Sequence, residues 1–124
     1  MVVDDASHLY EPTKKSFETL FPLLRPGGLY IIEDWAWAHW QEFQTPEHPW
    51  ARETELTKLI FELVEATGSS TLIGSLTIWQ GFVVVERGEI GSAQLGEFKL
   101  DEHISKRPKI SKFKQLLNKL KNVI

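Results

Sequence analysis

Four acids and one histidine are the residues of this chain whose types and spacing suit chemistry: Asp4, Asp5, Glu33, Asp34 and His8. The acids form two adjacent pairs, and each pair directly follows a short apolar run. Carboxylate oxygens are the ligands that magnesium and calcium favour, and a histidine near neutral pH can act as a general base. The pattern indicates a metal-assisted site if the two apolar runs are neighbouring strands.

A strand, a helix and a second strand are predicted around these acids. Residues 1–4 are typical of the end of a buried strand, and residues 29–32 of a strand covered on both faces. Residues 11–24 predict a helix with one apolar face, and Pro22 predicts that its last turn bends. A strand–helix–strand unit pairs its strands in parallel. Because open α/β sheets bind ligands at the carboxyl ends of their strands, both acidic pairs are expected at one crevice.

A plainer interpretation stays open for each of these residues. Acidic pairs after strands are often solvated or cap helices, and spacing in sequence does not show convergence in space. His39 and His48 are interpreted as surface or packing histidines. Residues 35–50 hold four of the five tryptophans without a helical or strand period, so they suit either a core or an aromatic lid over a small-molecule site.

The second half of the chain predicts a helix and then a hairpin. Residues 51–67 place apolar side chains on one helical face. Residues 71–79 and 82–87 are strand-like and joined across Gln80-Gly81, which predicts an antiparallel pair. Residues 88–96 are expected to form a loop. A basic amphipathic helix is predicted from about Pro108.

Composition and charge narrow the class of protein. The 124 residues contain no cysteine, which excludes disulfides and thiolate metal sites, and no apolar run is long enough to span a membrane. From Lys106 onward there are seven basic residues and no acid, whereas all seventeen acids precede this position. The acidic body argues against a nucleic-acid-binding core. The basic tail suits an anionic partner, a membrane surface or the acidic body. A cytoplasmic location is expected.

Three segments resemble the second half of the class I S-adenosylmethionine-dependent methyltransferase fold: VVDDASH at 2–8, FETLFPLLRPGG at 17–28 and LYIIEDW at 29–35. Within that class the chain is similar to the macrocin and mycinamicin sugar O-methyltransferases and to cephalosporin-hydroxylase-like proteins. The match is dense through Asp34, is one of layout from Trp35 to about Gly88, and leaves the basic tail uncovered. The resemblance implies an α/β fold: the C-terminal half of a Rossmann-like methyltransferase sheet, with parallel strands plus a terminal antiparallel hairpin.

The resemblance also implies roles for the candidate residues. Asp5, Glu33 and Asp34 match the family's metal-binding acids, the metal being Mg²⁺ or another divalent cation. His8 matches the general base that takes the proton of the accepting hydroxyl, and Asp4 is assigned to cofactor binding. The implied cofactor is S-adenosylmethionine, and the implied acceptor is a sugar or another hydroxylated small molecule.

The fold's first half, which holds most of its cofactor site, has no counterpart here, and no Gly-x-Gly-x-Gly run occurs in the chain. We therefore expect residues 1–96 to form a partial methyltransferase domain from the fourth strand onward, and residues 97–124 a basic C-terminal extension. As a fragment, the isolated chain is expected to be inactive and to self-associate or pair with a completing chain. The alternatives are a non-catalytic remnant that acts as a dimerisation or interaction module, and a metal-dependent hydrolase or lyase.

Overall fold

A computed structural model describes residues 1–89 and 97–123 and contains one mixed four-stranded sheet with helices packed on one face. The described strands are β1 (Val2–Asp4), β2 (Leu29–Glu33), β3 (Ile73–Ile78) and β4 (Phe82–Arg87). The described α-helices are α1 (Tyr10–Leu20), α2 (Thr57–Ser69) and α3 (Lys112–Lys121). Short 3₁₀ turns lie at Phe21–Leu23, Trp37–His39, Gln41–Phe43 and Leu100–His103.

The strand order is β1-β2-β4-β3. β1 runs parallel to β2, as expected for strands joined through a helix, and β4 pairs antiparallel with both β2 and β3. The α/β class, the parallel pair and the terminal antiparallel hairpin are therefore confirmed. The last of the described strands, β4, lies between β2 and β3 in the sheet, and β3 forms an edge.

The helix boundaries differ from the predictions in instructive ways. The bend predicted at Pro22 is confirmed, because α1 ends at Leu20 and continues as a 3₁₀ turn. The predicted start of the second helix at residue 51 is wrong: residues 48–53 form turns with backbone bonds across three residues, and α2 begins at Thr57. α3 begins after Ser111, whose Oγ accepts from the Lys114 amide at 3.2 Å, rather than at Pro108. Most of the loop predicted at 88–96 lies outside the described residues.

The core forms between α1, α2 and one face of the sheet. Alternate residues of β2 and β4 point inward, so that Tyr30, Ile32, Val83 and Val85 are buried together. Phe17 lies at the centre, with its ring 4.5 Å from Phe21 and 5.1 Å from Tyr30. Burial of each large apolar side chain contributes about 1.5–3 kcal/mol, so this aromatic cluster is a main source of stability.

The opposite face of the sheet is apolar and open among the described residues. Val3 is 51% exposed and Phe82 is 39% exposed, and Ile31 and Val84 lie between them half-buried. The strands have the near-continuous apolar composition that is typical of strands covered on both faces. The described helices, however, pack on one face only.

Residues beyond position 96 contribute to the core. Phe98 and Leu100 are buried, and the Leu100 amide donates to Glu18 Oε1 at 2.9 Å. The packed body thus extends past residue 96, the domain boundary predicted from the sequence. Whether residues 97–124 act as a separate extension stays a prediction.

A polar cluster joins α1, α2 and the turn at Leu100–His103. Lys14 Nζ lies 3.2 Å from Glu62 Oε2 and 2.8 Å from Asp101 Oδ1, and it also donates to the Tyr10 hydroxyl. Burial by itself lowers the pKa of Lys14. Its interactions with Asp101, Tyr10 and Glu62 outweigh this effect and raise the pKa above the ordinary value. The cluster's contribution to stability is therefore complete at neutral pH and is lost only as the pH rises past the usual lysine range.

We predict that Lys14→Met destabilises the fold by about 1–3 kcal/mol, because Glu62 loses the cation that compensates its burial. Chemical denaturation at neutral pH measures the change. Lys15→Met is the matched control, since Lys15 is exposed and lies one position away on the same helix. Equal effects of the two substitutions would show that the cluster contributes nothing specific.

Candidate functional site

The parallel pairing of β1 with β2 brings the two acidic pairs together. The pairs in register are Val2 with Tyr30, Val3 with Ile31, and Asp4 with Ile32. The next residues along the two strands are Asp5 and Glu33, which therefore lie side by side at the carboxyl ends of the strands. The condition on which the predicted site depended, that these strands are neighbours, is met.

The structure also places His8 and Asp34 at this edge. Asp5, His8 and Asp34 each offer a ligand atom, and these three atoms all lie within 4.8 Å of one another. His8 Nε2 is 3.6 Å from Asp5 Oδ1 and 3.9 Å from Asp34 Oδ2. The two carboxylates are suited to a divalent cation after small adjustments of the side chains, and the imidazole nitrogen lies beside them, where it can serve as a further ligand or as a base.

Glu33 is the acid on which crowding has the clearest effect. The negative charge of Asp5 raises the pKa of Glu33, burial and a hydrogen bond with Asp5 add to this, and Asp34 acts in the same direction. His8 only partly offsets the increase. A group of like charges favours either a shared proton or a bound cation. The ligand atoms that lie within 4.8 Å of one another belong to Asp5, His8 and Asp34, so Glu33 borders this cluster and its place among the metal ligands stays a prediction.

Asp4 differs from its neighbour because its side chain points into the protein. The Tyr30 hydroxyl donates to Asp4 Oδ2 at 2.8 Å in the buried interior, and the Ala6 amide donates to Oδ1 at 3.4 Å. Burial and this hydrogen bond to Asp4 raise the pKa of Tyr30 well above its usual range. The carboxylate of Asp4 thus holds the loop after β1 in place, and the cofactor role assigned to it stays a prediction.

Two of the site residues have an unusual backbone conformation. His8 has φ of 60° and Asp34 has φ of 54°, in the left-handed region that few residues other than glycine adopt. Histidine and aspartate tolerate this region better than most residues, and such conformations are found at functional sites where surrounding contacts enforce them.

Contacts from the tryptophan segment and the hairpin enforce these conformations. Trp37 Nε1 donates to the His8 carbonyl at 2.6 Å, and the Asp34 amide donates to the Gly81 carbonyl at 2.9 Å. Trp35 Nε1 donates to the Trp79 carbonyl at 2.8 Å, which joins the same segment to the hairpin. These supporting contacts do not follow from the local sequence pattern, in which the density of tryptophans after β2 is a related signal.

The remaining tryptophans and histidines of the segment pack against one another. Trp37 and Trp50 meet edge to face at 5.1 Å, and the Phe43 ring lies 4.4 Å from His48. His39 Nε2 is 2.7 Å from Thr57 Oγ1. These contacts agree with the interpretation of both histidines as surface or packing residues, since His39 is exposed and His48 is half-buried.

The chain matches known proteins over part of its length. Demethylmacrocin O-methyltransferase from Streptomyces fradiae is 41% identical over 66 residues, which are 53% of this chain and 17% of that protein. Mycinamicin VI 2''-O-methyltransferase from Micromonospora griseorubida is 39% identical over 66 residues, 53% of this chain and 16% of that protein. The chain is similar to the sugar O-methyltransferases. No family model matches it.

A solved structure supports the same relationship. MycE methyltransferase from the mycinamycin biosynthetic pathway, in complex with Mg, SAH and mycinamycin VI, aligns with a TM-score of 0.52 and 31% identity over 70% of this chain and 25% of that chain. The resemblance to the C-terminal half of this methyltransferase fold is thereby confirmed. The matched segment covers about a sixth of the curated relatives, so the activity of a whole protein is a matter for proposal.

We predict that Glu33→Gln stabilises the metal-free chain near neutral pH. A carboxyl whose pKa is raised in the folded state lowers the free energy of unfolding when it ionises. This free energy is regained as the pH falls through the raised pKa and the carboxyl takes up a proton. The wild type should therefore gain stability on mild acidification, and Glu33→Gln should lose this gain. Thermal unfolding at several pH values in the presence of a chelator measures both effects.

The same substitution should weaken stabilisation by a divalent cation. Mg²⁺ at ten times its dissociation constant stabilises a folded state by about 1.4 kcal/mol, which raises the Tm by roughly 4–8 °C for a domain near this size. Glu42→Gln is the matched control, because Glu42 is an exposed acid outside the site. An equal rise in Tm for Glu33→Gln and Glu42→Gln would exclude Glu33 from the metal site.

Proposed function

We propose that this chain carries the metal-binding and proton-accepting part of an S-adenosylmethionine-dependent O-methyltransferase that acts on a sugar or another hydroxylated small molecule. The observation that supports this best is the convergence of Asp5, His8 and Asp34 within 4.8 Å at the ends of two parallel strands. The similarity to demethylmacrocin and mycinamicin VI O-methyltransferases gives the reaction class.

Each side chain of the site has a distinct role in this proposal. Asp5, Glu33 and Asp34 hold the divalent cation, and their crowded negative charge supplies the attraction. A cation held there would supply Lewis acidity to the acceptor hydroxyl and lower its pKa. His8 accepts the hydroxyl proton at Nε2, which already faces Asp5 and Asp34.

The carboxylates around His8 also serve the proton transfer. When Nε2 takes a proton, the imidazolium forms 3.6 Å from Asp5 Oδ1 and 3.9 Å from Asp34 Oδ2, and the three carboxylates together balance its charge and that of a divalent cation. The hydrogen bond from Trp37 Nε1 to the His8 carbonyl holds the backbone that carries the ring. The position of the base along the chain is thereby held before the substrate arrives.

S-adenosylmethionine would supply the methyl group to the deprotonated oxygen of the acceptor, with S-adenosylhomocysteine as the leaving product. The residues that bind most of this cofactor are expected in a preceding half of the fold. Asp4 is proposed to contribute to cofactor binding by positioning the loop after β1. Its carboxylate holds this loop because it accepts hydrogen bonds from the Tyr30 hydroxyl and the Ala6 amide.

A non-catalytic interaction module is the second candidate. The exposed apolar face that includes Val3 and Phe82 favours it, since such a surface calls for a cover. It predicts that the acids and His8 can be replaced without loss of function, which distinguishes it from the enzyme.

We predict that calorimetric titration of S-adenosylmethionine into this chain, with Mg²⁺ present, gives no saturable binding. The expected reason is that the chain has no glycine-rich turn for the cofactor. Micromolar binding would contradict this prediction and would mean that association between copies supplies the missing pocket.

Replacement of His8 should strongly slow methyl transfer, while metal binding by the carboxylates is kept. We suggest a chimera in which this chain replaces the matching segment of mycinamicin VI 2''-O-methyltransferase, with mycinamicin VI as acceptor. In that chimera His8→Ala is expected to lower kcat by about 10²–10⁴-fold, the usual contribution of a general base. Asp34→Asn is expected to lower both kcat and the affinity for Mg²⁺.

His48→Ala is the control for removal of a histidine, because His48 packs against Phe43 away from the acids. S-adenosylmethionine binding by each variant checks that the chimera is folded. Full activity of His8→Ala in a folded chimera would refute the role of His8 as the base, and full activity of Asp34→Asn would refute the metal site.

A further inference from the structure

Helix α3 is the part of the described chain that the proposed function leaves without a role. It spans Lys112–Lys121, and the Ser111 side chain caps its first turn. None of its residues is buried. A helix of ten residues is marginal in water when it stands alone, because nucleation is unfavourable and stability comes mainly from packing of an apolar face.

Its apolar residues form one exposed stripe. Phe113, Leu116, Leu117 and Leu120 follow a three- and four-residue spacing, which places them on one side of an α-helix. They are 69%, 55%, 41% and 52% exposed, respectively. Four large apolar side chains are thus presented together to the surroundings.

Lysines line both borders of this stripe. Lys112 and Lys119 are seven residues apart and lie on one border, and Lys114 and Lys121, also seven apart, lie on the other. Asn118 is on the far side of the helix. Long lysine side chains at the edge of an apolar face can keep their ammonium groups among polar groups while their methylene stems stay in apolar surroundings.

The pattern of charge selects among the possible covers of this stripe. Residues 106–123 carry seven basic side chains and no acid, so a second copy of α3 would bring lysines against lysines. One residue of the basic tail pairs with the acidic body: Lys106 Nζ lies 3.3 Å from Glu65 Oε2. The apolar stripe of α3 stays exposed. Single-stranded nucleic acid would suit the lysines and leave the leucines exposed, since it binds through phosphates and aromatic stacking.

An anionic bilayer surface satisfies both features at once. Helices with an apolar face, lysines on the polar side and low overall hydrophobicity lie in the plane of the membrane interface. The apolar residues enter the boundary between headgroups and acyl chains, and the lysines meet the negative headgroups. We propose that α3 is an interfacial helix that attaches this chain reversibly to an anionic lipid surface.

This attachment differs from a membrane span. Ten helical residues are about 15 Å long, roughly half the hydrocarbon thickness of a bilayer. Within the described residues no helix has the length and apolar character to cross a membrane.

Sedimentation with lipid vesicles tests the proposal on the chain as it stands. We expect the chain to pellet with vesicles made of equal parts phosphatidylcholine and phosphatidylglycerol, and far less with vesicles of phosphatidylcholine alone. Binding should weaken as ionic strength rises from about 0.05 to about 0.5 M, because salt screens the attraction. Helical circular dichroism of the chain should increase when anionic vesicles are added.

Two double variants separate the contributions of charge and apolar contact. Replacement of Lys112 and Lys119 by glutamine should weaken partitioning about 25-fold, at about five-fold for each lysine near the surface. Replacement of Phe113 and Leu117 by glutamine should weaken partitioning by at least about ten-fold. The transfer free energy lost with two inserted apolar side chains is larger than the free energy of a tenfold change in affinity.

Lys15→Gln is the control for loss of a basic residue, and Asn118→Gln is the control for a change on the far side of α3. Both should bind as the wild type does. None of the α3 residues is buried, so an unchanged Tm should show that each variant is folded.

Three results would overturn the proposal. The first is no excess binding to anionic over neutral vesicles. The second is unchanged binding when Phe113 and Leu117 are both replaced, which would leave only a diffuse electrostatic attraction. The third is displacement from anionic vesicles by single-stranded RNA at equal concentrations of phosphate, which would identify nucleic acid as the better ligand.

Discussion

The register of the parallel pair β1 and β2 is the constraint on which the candidate site depends. In the observed register Asp4 pairs with Ile32, points inward and accepts the Tyr30 hydroxyl, so Asp5 continues the alternation toward the open side beside Glu33. A shift by one residue would exchange the faces of the two acids. Asp5 would then be buried, and Asp4 would take its place at the crevice. The hydrogen bond from Tyr30 to Asp4 therefore selects which acid faces the site, although it takes no part in the chemistry.

The site combines two unfavourable features that the rest of the fold must support. Like charges raise the pKa of Glu33, and the backbone of both His8 and Asp34 lies in the left-handed region. Neither feature would persist in a loosely packed loop, because strained conformations need surrounding contacts that over-determine them. Trp37 and Gly81 supply the nearest contacts, and the aromatic core around Phe17 holds the strands that carry them. The site is thus destabilising locally and dependent on a rigid frame.

The sequence predicted the parts of this molecule that follow from local pattern. The parallel strand pair, the bend at Pro22 and the antiparallel hairpin each depend on a few neighbouring residues, and all are confirmed. The start of α2 was missed because residues 51–56 have no strong stop signal, and their turns depend on how the tryptophan segment packs. The conformation of His8 could not be predicted either, since it depends on Trp37, which lies 29 positions further along the chain.

The apolar stripe of α3 and the open sheet face differ in the cover that each would accept. The stripe on α3 is bordered by lysines on both sides, which suits a negatively charged surface. The open sheet face has Phe82 paired with Glu33, so its apolar patch meets the acids of the site at one end. Since paired residues on adjacent strands project to the same side of a sheet, any structure packed over Val3 and Phe82 would also border Asp5 and Glu33. Covering that face would exclude water from the acids and strengthen their hold on a cation, because charges interact more strongly in a less polar environment. A structure that covers the open sheet face would therefore also complete the site. Helix α3 is not needed for that cover and can bind a different surface.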